Sequence, residues 1–263
     1  MRVLQLKMKC LYLIVTILTS TVCASVFYSS DVYAKTDKRK LTLAVYLPQV
    51  PPYIYIDEHS GQLVGIVTDI LNSYSEQANL EFDYVYLNRL RAENALYDAS
   101  ADVSMLSPQW LKHPEKLVFS DPLYYNGDRF YSITPISNSP SDIKNLEGKV
   151  ICTRQYFKYP LFDKYVAEGK VERMDTDSEV TQFRMMLSNR CDFAYVNEWV
   201  ADYLINNMFD FKVIYSSEGR FDVNHGVLAF SKVWQSELPQ FNRFISPLKS
   251  SGKLANLVKH YTK

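Results

Sequence analysis

The sequence predicts an α/β protein of two lobes, each a parallel-rich sheet flanked by helices. Two observations carry this reading. A β-α-β-α-β pattern runs twice along the chain, and such alternation buries parallel strands between helices. The length, 263 residues, suits one large domain or two small ones.

The first pattern opens at Leu41–Tyr46 (LTLAVY), apolar and partly β-branched, which reads as a strand. Pro48, Pro51 and Pro52 force an irregular loop that carries Tyr53 and Tyr55, and Asp57–Gly61 is a turn. Ile66, Ile70, Leu71, Tyr74 and Ala78 recur at helical spacing, giving a helix over 66–78. Leu80–Leu87 is a strand, Arg89–Tyr97 a short helix and Ala101–Leu106 a buried strand. The second pattern runs through strands at Lys149–Thr153, Lys170–Asp175 and Cys191–Val196. Its helices lie at Pro160–Glu168, at Glu179–Leu187 (capped by Asp177 or Ser178) and from Cys191–Val196 onward to about Asn206. Gly226–Phe230 adds a strand, and Ser236–Lys249 and Lys253–Tyr261 are helical.

Composition excludes several functions. Lys+Arg and Asp+Glu tie at 29 each, so no global basic field exists to hold nucleic acid. Only 8 glycines occur, which leaves no glycine-rich phosphate loop, whereas 20 Tyr, 14 Phe and 3 Trp supply flat apolar surface. His59, His113, His225 and His260 are scattered without metal-ligand spacing, and no G-x-S-x-G nucleophile turn occurs. Neither metal nor cofactor is implied.

The N-terminus reads as a secretory signal. Arg2, Lys7 and Lys9 precede the apolar run Leu11–Leu18, and small residues follow, with cleavage expected after Ala24 or alternatively after Ala34. The run is shorter than the ~20 residues of a membrane span. Cleavage at 24 removes three bases and no acids, leaving a slightly acidic chain of net charge −3. The mature protein is expected to be exported to the periplasm and monomeric. Cys152 and Cys191 then remain, an even pair in an oxidising compartment. Both fall at the starts of predicted strands, so they are expected to form a disulfide, the alternative being two buried thiols.

Several stretches resemble the family 3 extracellular solute-binding proteins, the receptors of polar amino-acid uptake. They are Phe119-Ser120-Asp121-Pro122-Leu123-Tyr124-Tyr125, Pro51-Pro52-Tyr53 with Gly61-x-x-Val64-Gly65 and Asp69, Ala101-Asp102-Val103, Leu146-Glu147-Gly148-Lys149-Val150, and Asp192 with Ala201-x-Tyr203-Leu204. The resemblance implies the type II periplasmic-binding-protein fold. Lobe 1 would span 40–125 plus 226–263 and lobe 2 would span 129–222. Hinges would lie near 125–128 and 222–226, where Gly127 and Gly226 offer backbone freedom. A small polar ligand, amino-acid-like or an organic acid or amine, would be trapped between the lobes for a membrane permease of the ABC type. A sensing partnership, or a dehydratase-like enzyme on the same fold, is the alternative. Because the chain ends at 263, no lytic domain of the kind some relatives carry is expected.

The family's clamp for a free amino acid is altered here. Its carboxylate-binding Arg follows the third lobe-1 strand in a TPER-like segment, which here is Ser107-Pro108-Gln109-Trp110. Its ammonium-binding Asp ends the third lobe-2 strand, which here ends at Asn197, followed by Glu198. Its small Gly-Thr turn after the first lobe-2 strand is here Tyr156-Phe157. The candidate ligand-binding residues are Tyr53, Arg89, Ser107, Trp110, Arg154, Tyr156, Asn197 and Glu198. Tyr53 and Trp110 offer stacking faces, and Arg89 and Arg154 offer guanidinium forks. Against this, Arg89 is placed to pair with Glu93 one turn on, and Arg154 to form a structural ion pair. Glu198 is the expected cleft carboxylate for a cation or for acid–base work. A bridge from Glu198 to Arg154 would favour plain binding over catalysis.

Overall fold

The computed structural model describes residues 38–136 and 146–262. The predicted signal segment lies outside them.

Two sheets organise the chain. The first contains β1 (Arg39–Leu47), β4 (Leu80–Asn88), β5 (Val103–Ser104), β6 (Leu117–Phe119) and β13 (Ala229–Ser231), in the order β4-β1-β5-β13-β6. β1 is parallel to β4 over nine residue pairs and parallel to β5, whereas β13 runs antiparallel to β5 and β6. β1 is buried from Leu41 to Tyr46 except at the half-buried Thr42, as a central parallel strand should be, and its sequence there is mostly apolar. The second sheet contains β7 (Tyr124–Ser132), β8 (Val150–Arg154), β9 (Glu172–Thr176), β10 (Phe193–Asn197) and β11 (Tyr215–Ser216). Its order is β11-β7-β10-β8-β9, with β12 (Phe221–Gly226) also pairing to β7. A two-stranded ribbon, β2 (Tyr55–Ile56) with β3 (Leu63–Val64), covers one side. Lobe 1 is the body around the first sheet and lobe 2 that around the second. The chain passes to lobe 2 through β7 and returns through β12, and these two strands pair antiparallel where they cross.

Local chemistry sets the helices. α1 (Ile66–Ala78) buries Ile66, Val67, Ile70, Leu71 and Tyr74, and ends at Asn79 in the left-handed conformation, φ 52°. α2 (Arg89–Tyr97) starts as β4 ends, and the Asn88 side chain accepts from Arg91 N at 2.8 Å. In lobe 2, α3 (Pro160–Ala167) opens on Pro, which costs nothing at a first helical turn. α4 (Glu179–Leu187) is capped by Ser178, which accepts from Thr181 N at 3.2 Å. α5 (Glu198–Met208) is capped by Asn197, and α6 (Leu238–Ser250) and α7 (Lys253–Tyr261) return to lobe 1.

Three strands differ from expectation. The 101–106 stretch is extended into the ladder only at Val103–Ser104, because Leu106 N turns back to Ser104 O and the chain enters a 3-10 turn at Pro108–Trp110. The predicted 226–230 strand is split: β12 ends at Gly226 beside β7, and β13 begins at Ala229 beside β5 and β6. A single predicted strand thus serves two sheets. β7, the longest strand of the second sheet, runs antiparallel to β10, so that sheet is mixed.

Buried apolar residues form one cluster that includes residues of both lobes, among them Tyr46 and Tyr53 with Phe183, Val196 and Val200. A smaller cluster around Phe130, Tyr159, Phe162 and Tyr195 lies within lobe 2. Among the described residues no helix is long and apolar enough to cross a membrane.

Cys152 in β8 and Cys191 just before β10 form a disulfide with Cα atoms 5.8 Å apart, joining two parallel neighbours. Closing a loop of this size constrains the unfolded chain, so replacing both cysteines by alanine should lower the urea-unfolding free energy by roughly 2–4 kcal/mol. Non-reducing mass spectrometry should show the linked peptides; two free thiols would remove the claim.

Candidate functional site

The site begins with a backbone contact that only glycine permits. Gly65 has φ 127°, and a Cβ there would lie 2.5 Å from Tyr53 O. Its absence lets the 50–54 loop settle on the start of α1, where Ile66 N donates to Pro52 O (3.0 Å) and Val67 N to Tyr53 O (2.9 Å). Tyr53 is thereby fixed, and it is buried. Its hydroxyl donates to Asn197 Oδ1 at 2.7 Å and accepts from Asn126 Nδ2. Its ring stacks on Tyr124 (5.3 Å between centroids) and Trp199 (5.9 Å).

Other side chains cross between the lobes nearby. The Arg154 guanidinium donates to Glu179 Oε2 within lobe 2 and to Pro48 O in lobe 1. Lys158 Nζ reaches Leu111 O at 3.1 Å. Phe157 packs against Trp110 at 6.0 Å and Tyr46 at 6.4 Å. The lobes are closed on one another, and between them lies a cavity of about 50 Å³. That is room for a few waters at the ~10–15 Å³ each requires.

Strand and helix periods explain the lining. Tyr124, Asn126 and Asp128 alternate along β7 and so share one face, which lines the cavity. Glu179 and Gln182 are one turn apart on α4 and line it together. Tyr159, Tyr195 and Asn197 add to the wall from lobe 2. Burial pushes the Asp128 carboxyl well above the ordinary carboxylate range, and the negative charges of Asp222 and Glu179 push it further. Burial raises the Tyr46 hydroxyl to about 12, although Arg154 and Arg89 pull the other way.

The structure brings together Tyr53, Ser107, Trp110 and Asn197 at the cavity. It places Arg89, Arg154, Tyr156 and Glu198 outside the lining. Tyr156 is 59% exposed with φ 67°, and Tyr159 takes the inward place, its hydroxyl accepting from Arg154 N at 3.1 Å. Arg154 is 2% exposed and held by Glu179. Glu198 Oε2 accepts from Arg220 Nε (2.8 Å) and Arg129 Nε (3.3 Å), not from Arg154. The cavity's carboxyls are instead Asp128 and Glu179. The β7 alternation was the signal available for Asp128 and Asn126. For Gln182 the signal was its spacing from Glu179, beside the apolar face through Val180, Phe183 and Leu187.

Arg89 is 4% exposed and donates to Glu93 Oε2 at 2.9 Å and to Trp110 O at 3.2 Å. Burial raises the Glu93 carboxyl, but hydrogen bonds from Tyr97, Lys112 N and Arg89 outweigh it and hold the group below its ordinary value. Arg89 therefore positions Trp110. Glu93→Ala would leave a guanidinium buried without its partner, and should cost roughly 3–5 kcal/mol in urea unfolding. A loss under 1 kcal/mol would mean that the pair is not buried in solution.

The model of the bacterial extracellular solute-binding proteins, family 3, matches residues 43–263. No curated protein matches the chain. Among solved structures, an ancestral arginine-binding protein bound to arginine is 18% identical, with TM-score 0.71 over 86% of this chain and 99% of that one. AncCDT-1, an ancestral amino-acid-binding protein and precursor of cyclohexadienyl dehydratase, is 16% identical, with TM-score 0.68 over 85% and 96%. A histidine kinase sensor domain with similarity to periplasmic binding proteins is 17% identical, with TM-score 0.68 over 85% and 96%. At such identities the likenesses speak for the two-lobed fold alone. The match to the family model spans most of the chain, and this protein belongs to the bacterial extracellular solute-binding proteins of family 3.

Proposed function

We propose that the chain is a periplasmic receptor whose lobes close around a small polar solute and present it to a membrane permease or sensor. The observation that carries this is the meeting of side chains from both lobes, Tyr53 with Asn197 and Arg154 with Pro48 O, over a cavity lined by polar groups. The hinges would be the paired crossings near 125–128 and 222–226. Neither Gly127 nor Gly226 lies in the left-handed region, so close approach, not backbone freedom, requires them. A Cβ at Gly127 would be 2.9 Å from Phe221 O, and one at Gly226 would run into the Tyr124 ring.

A free amino acid is poorly served here. Trp110 stands where the family's carboxylate-binding Arg is expected, and Asn197 is committed to Tyr53 and to capping α5. Structural neighbours include proteins that bind arginine, a kinase sensor domain and a dehydratase precursor. The sensor neighbour keeps a sensing partnership in view alongside transport. A dehydratase-like activity would now rest on Asp128, a cavity carboxyl that burial pushes well above the ordinary carboxylate range, and not on Glu198.

A thermal-shift screen of amino acids, amines, short peptides and organic acids tests the receptor reading. At a hundredfold excess over its Kd a true ligand stabilises by about 2.7 kcal/mol, a clear rise in Tm. We expect a stabiliser outside the twenty standard amino acids. If only those stabilise, the altered-clamp reading is wrong; if no class stabilises, the receptor reading falls. Proton NMR of each stabiliser incubated with the protein checks for turnover.

A further inference from the structure

Asp128 sits in the cavity without a positive partner. The charged groups that bear on it are Asp222 from β12, Glu179 from α4 and Glu198 from α5, all acidic, and its side-chain hydrogen-bond partner is the neutral Asn197. Arg154 is engaged by Glu179 and Pro48 O, and Arg129 and Arg220 are turned to Glu198. No Lys, Arg or His lines the cavity among the described residues. An anion entering it would meet two carboxyls and no uncommitted cation.

The walls favour the opposite sign. Tyr46, Tyr53, Tyr124, Phe157, Tyr159 and Tyr195 all line the space, and aromatic faces attract cations, most strongly where water is excluded. An independent feature points to a ligand as well. Gln182 is 0% exposed and lines the cavity, yet neither its Oε1 nor its Nε2 has a hydrogen-bond partner. A buried carboxamide left wholly unpaired is costly, and buried polar groups are nearly always satisfied.

We infer that the ligand is a small organic cation, an amine lacking a carboxylate, whose ammonium meets Asp128 between tyrosine rings while a hydroxyl or amide on it pairs with Gln182. This rests on the receptor reading and narrows it. The upward push on the Asp128 carboxyl fits this. Burial, then Asp222 and Glu179, disfavour the ionised carboxyl. A bound cation reverses that preference, so binding releases a proton. Affinity should then rise with pH through the range below the raised Asp128 value and level off above it.

The test is isothermal titration calorimetry of the purified protein with amines and the amino acids from which they differ by one carboxylate. The pairs are agmatine and arginine, cadaverine and lysine, tyramine and tyrosine, and ethanolamine and serine. At least one amine should bind tenfold or more tightly than its amino acid, more tightly at higher pH, with proton release visible as a buffer-dependent enthalpy. Asp128→Asn, checked for folding by circular dichroism, should weaken that amine tenfold or more and abolish the proton release. Gln182→Leu should weaken only amines that carry a further polar group. Failure of every amine to bind, equal or tighter binding of the amino acids, or an amine affinity independent of both pH and Asp128→Asn would each overturn the inference. The receptor reading survives those results as long as amino acids, acids or peptides bind, and falls only if they fail as well.

Discussion

One phenol holds the two lobes in register. The Tyr53 hydroxyl accepts from Asn126 on the crossing strand and donates to Asn197, whose Oδ1 also accepts from Trp199 N to cap α5. A loop of lobe 1, the strand that links the lobes and the first helical turn after β10 thus meet at one oxygen atom. The position of Tyr53 depends in turn on Gly65, since any Cβ there would strike the Tyr53 carbonyl. Burial keeps the phenol protonated far beyond neutral pH, so this junction is neutral and does not switch with pH. Trp199 and Tyr124 close over its ring, and the cavity opens beside it.

Guanidinium groups have been given structural work in this chain. Arg89 fastens α2 to the Trp110 backbone through a pair buried with Glu93, and Tyr97 and Lys112 N complete the carboxylate's shell. Arg154 fastens α4 to β8 and reaches across to the Pro48 carbonyl. A buried ion pair of this kind adds little net stability but is strongly destabilising to break, so neither arginine is at liberty to clamp a carboxylate. The positive charge that would attract an anion is neutralised within the protein, and the carboxyl left without a cation at the cavity is that of Asp128.

Much of this was legible from local pattern. The helices at 66–78, 89–97, 179–187 and 253–261 follow from apolar periodicity and caps such as Ser178, which need no knowledge of the partner surface. Tyr53, Ser107, Trp110 and Asn197 were legible as cavity residues because they sit at loop and strand ends that the fold directs into the cleft. Arg89 shows where the pattern stops. Its spacing to Glu93 is plain in the sequence, but whether the fork turns along the helix or into the cleft depends on the 110–113 loop lying over it. Asp128 was obscured by Asn126-Gly127, a turn signal that drew attention to a hinge and away from the alternation of Tyr124, Asn126 and Asp128. Gln182 is hidden more deeply still, because its burial depends on tertiary packing that the helix pattern alone does not show. The expected signal segment, 1–24 or 1–34, lies outside the described residues.

Closure itself has an energetic consequence for any ligand. Tyr53, Arg154 and Lys158 already bond across the lobes, and each such hydrogen bond contributes on the order of 0.5–1.5 kcal/mol, more where charged. Those contacts are made between the protein's own groups, so they favour the closed form without selecting a ligand. Selection must come from groups that closure leaves unsatisfied, since a ligand shifts the equilibrium only by what it binds better in one state. The buried amide of Gln182 is such a group, and Asp128, hydrogen-bonded to Asn197, faces no cation in the cavity lining. A solute that satisfies both removes a cost the closed protein otherwise bears alone, whereas one that touches only the aromatic walls gains less. On the proposed reading, specificity in this protein resides in the defects of its closed state.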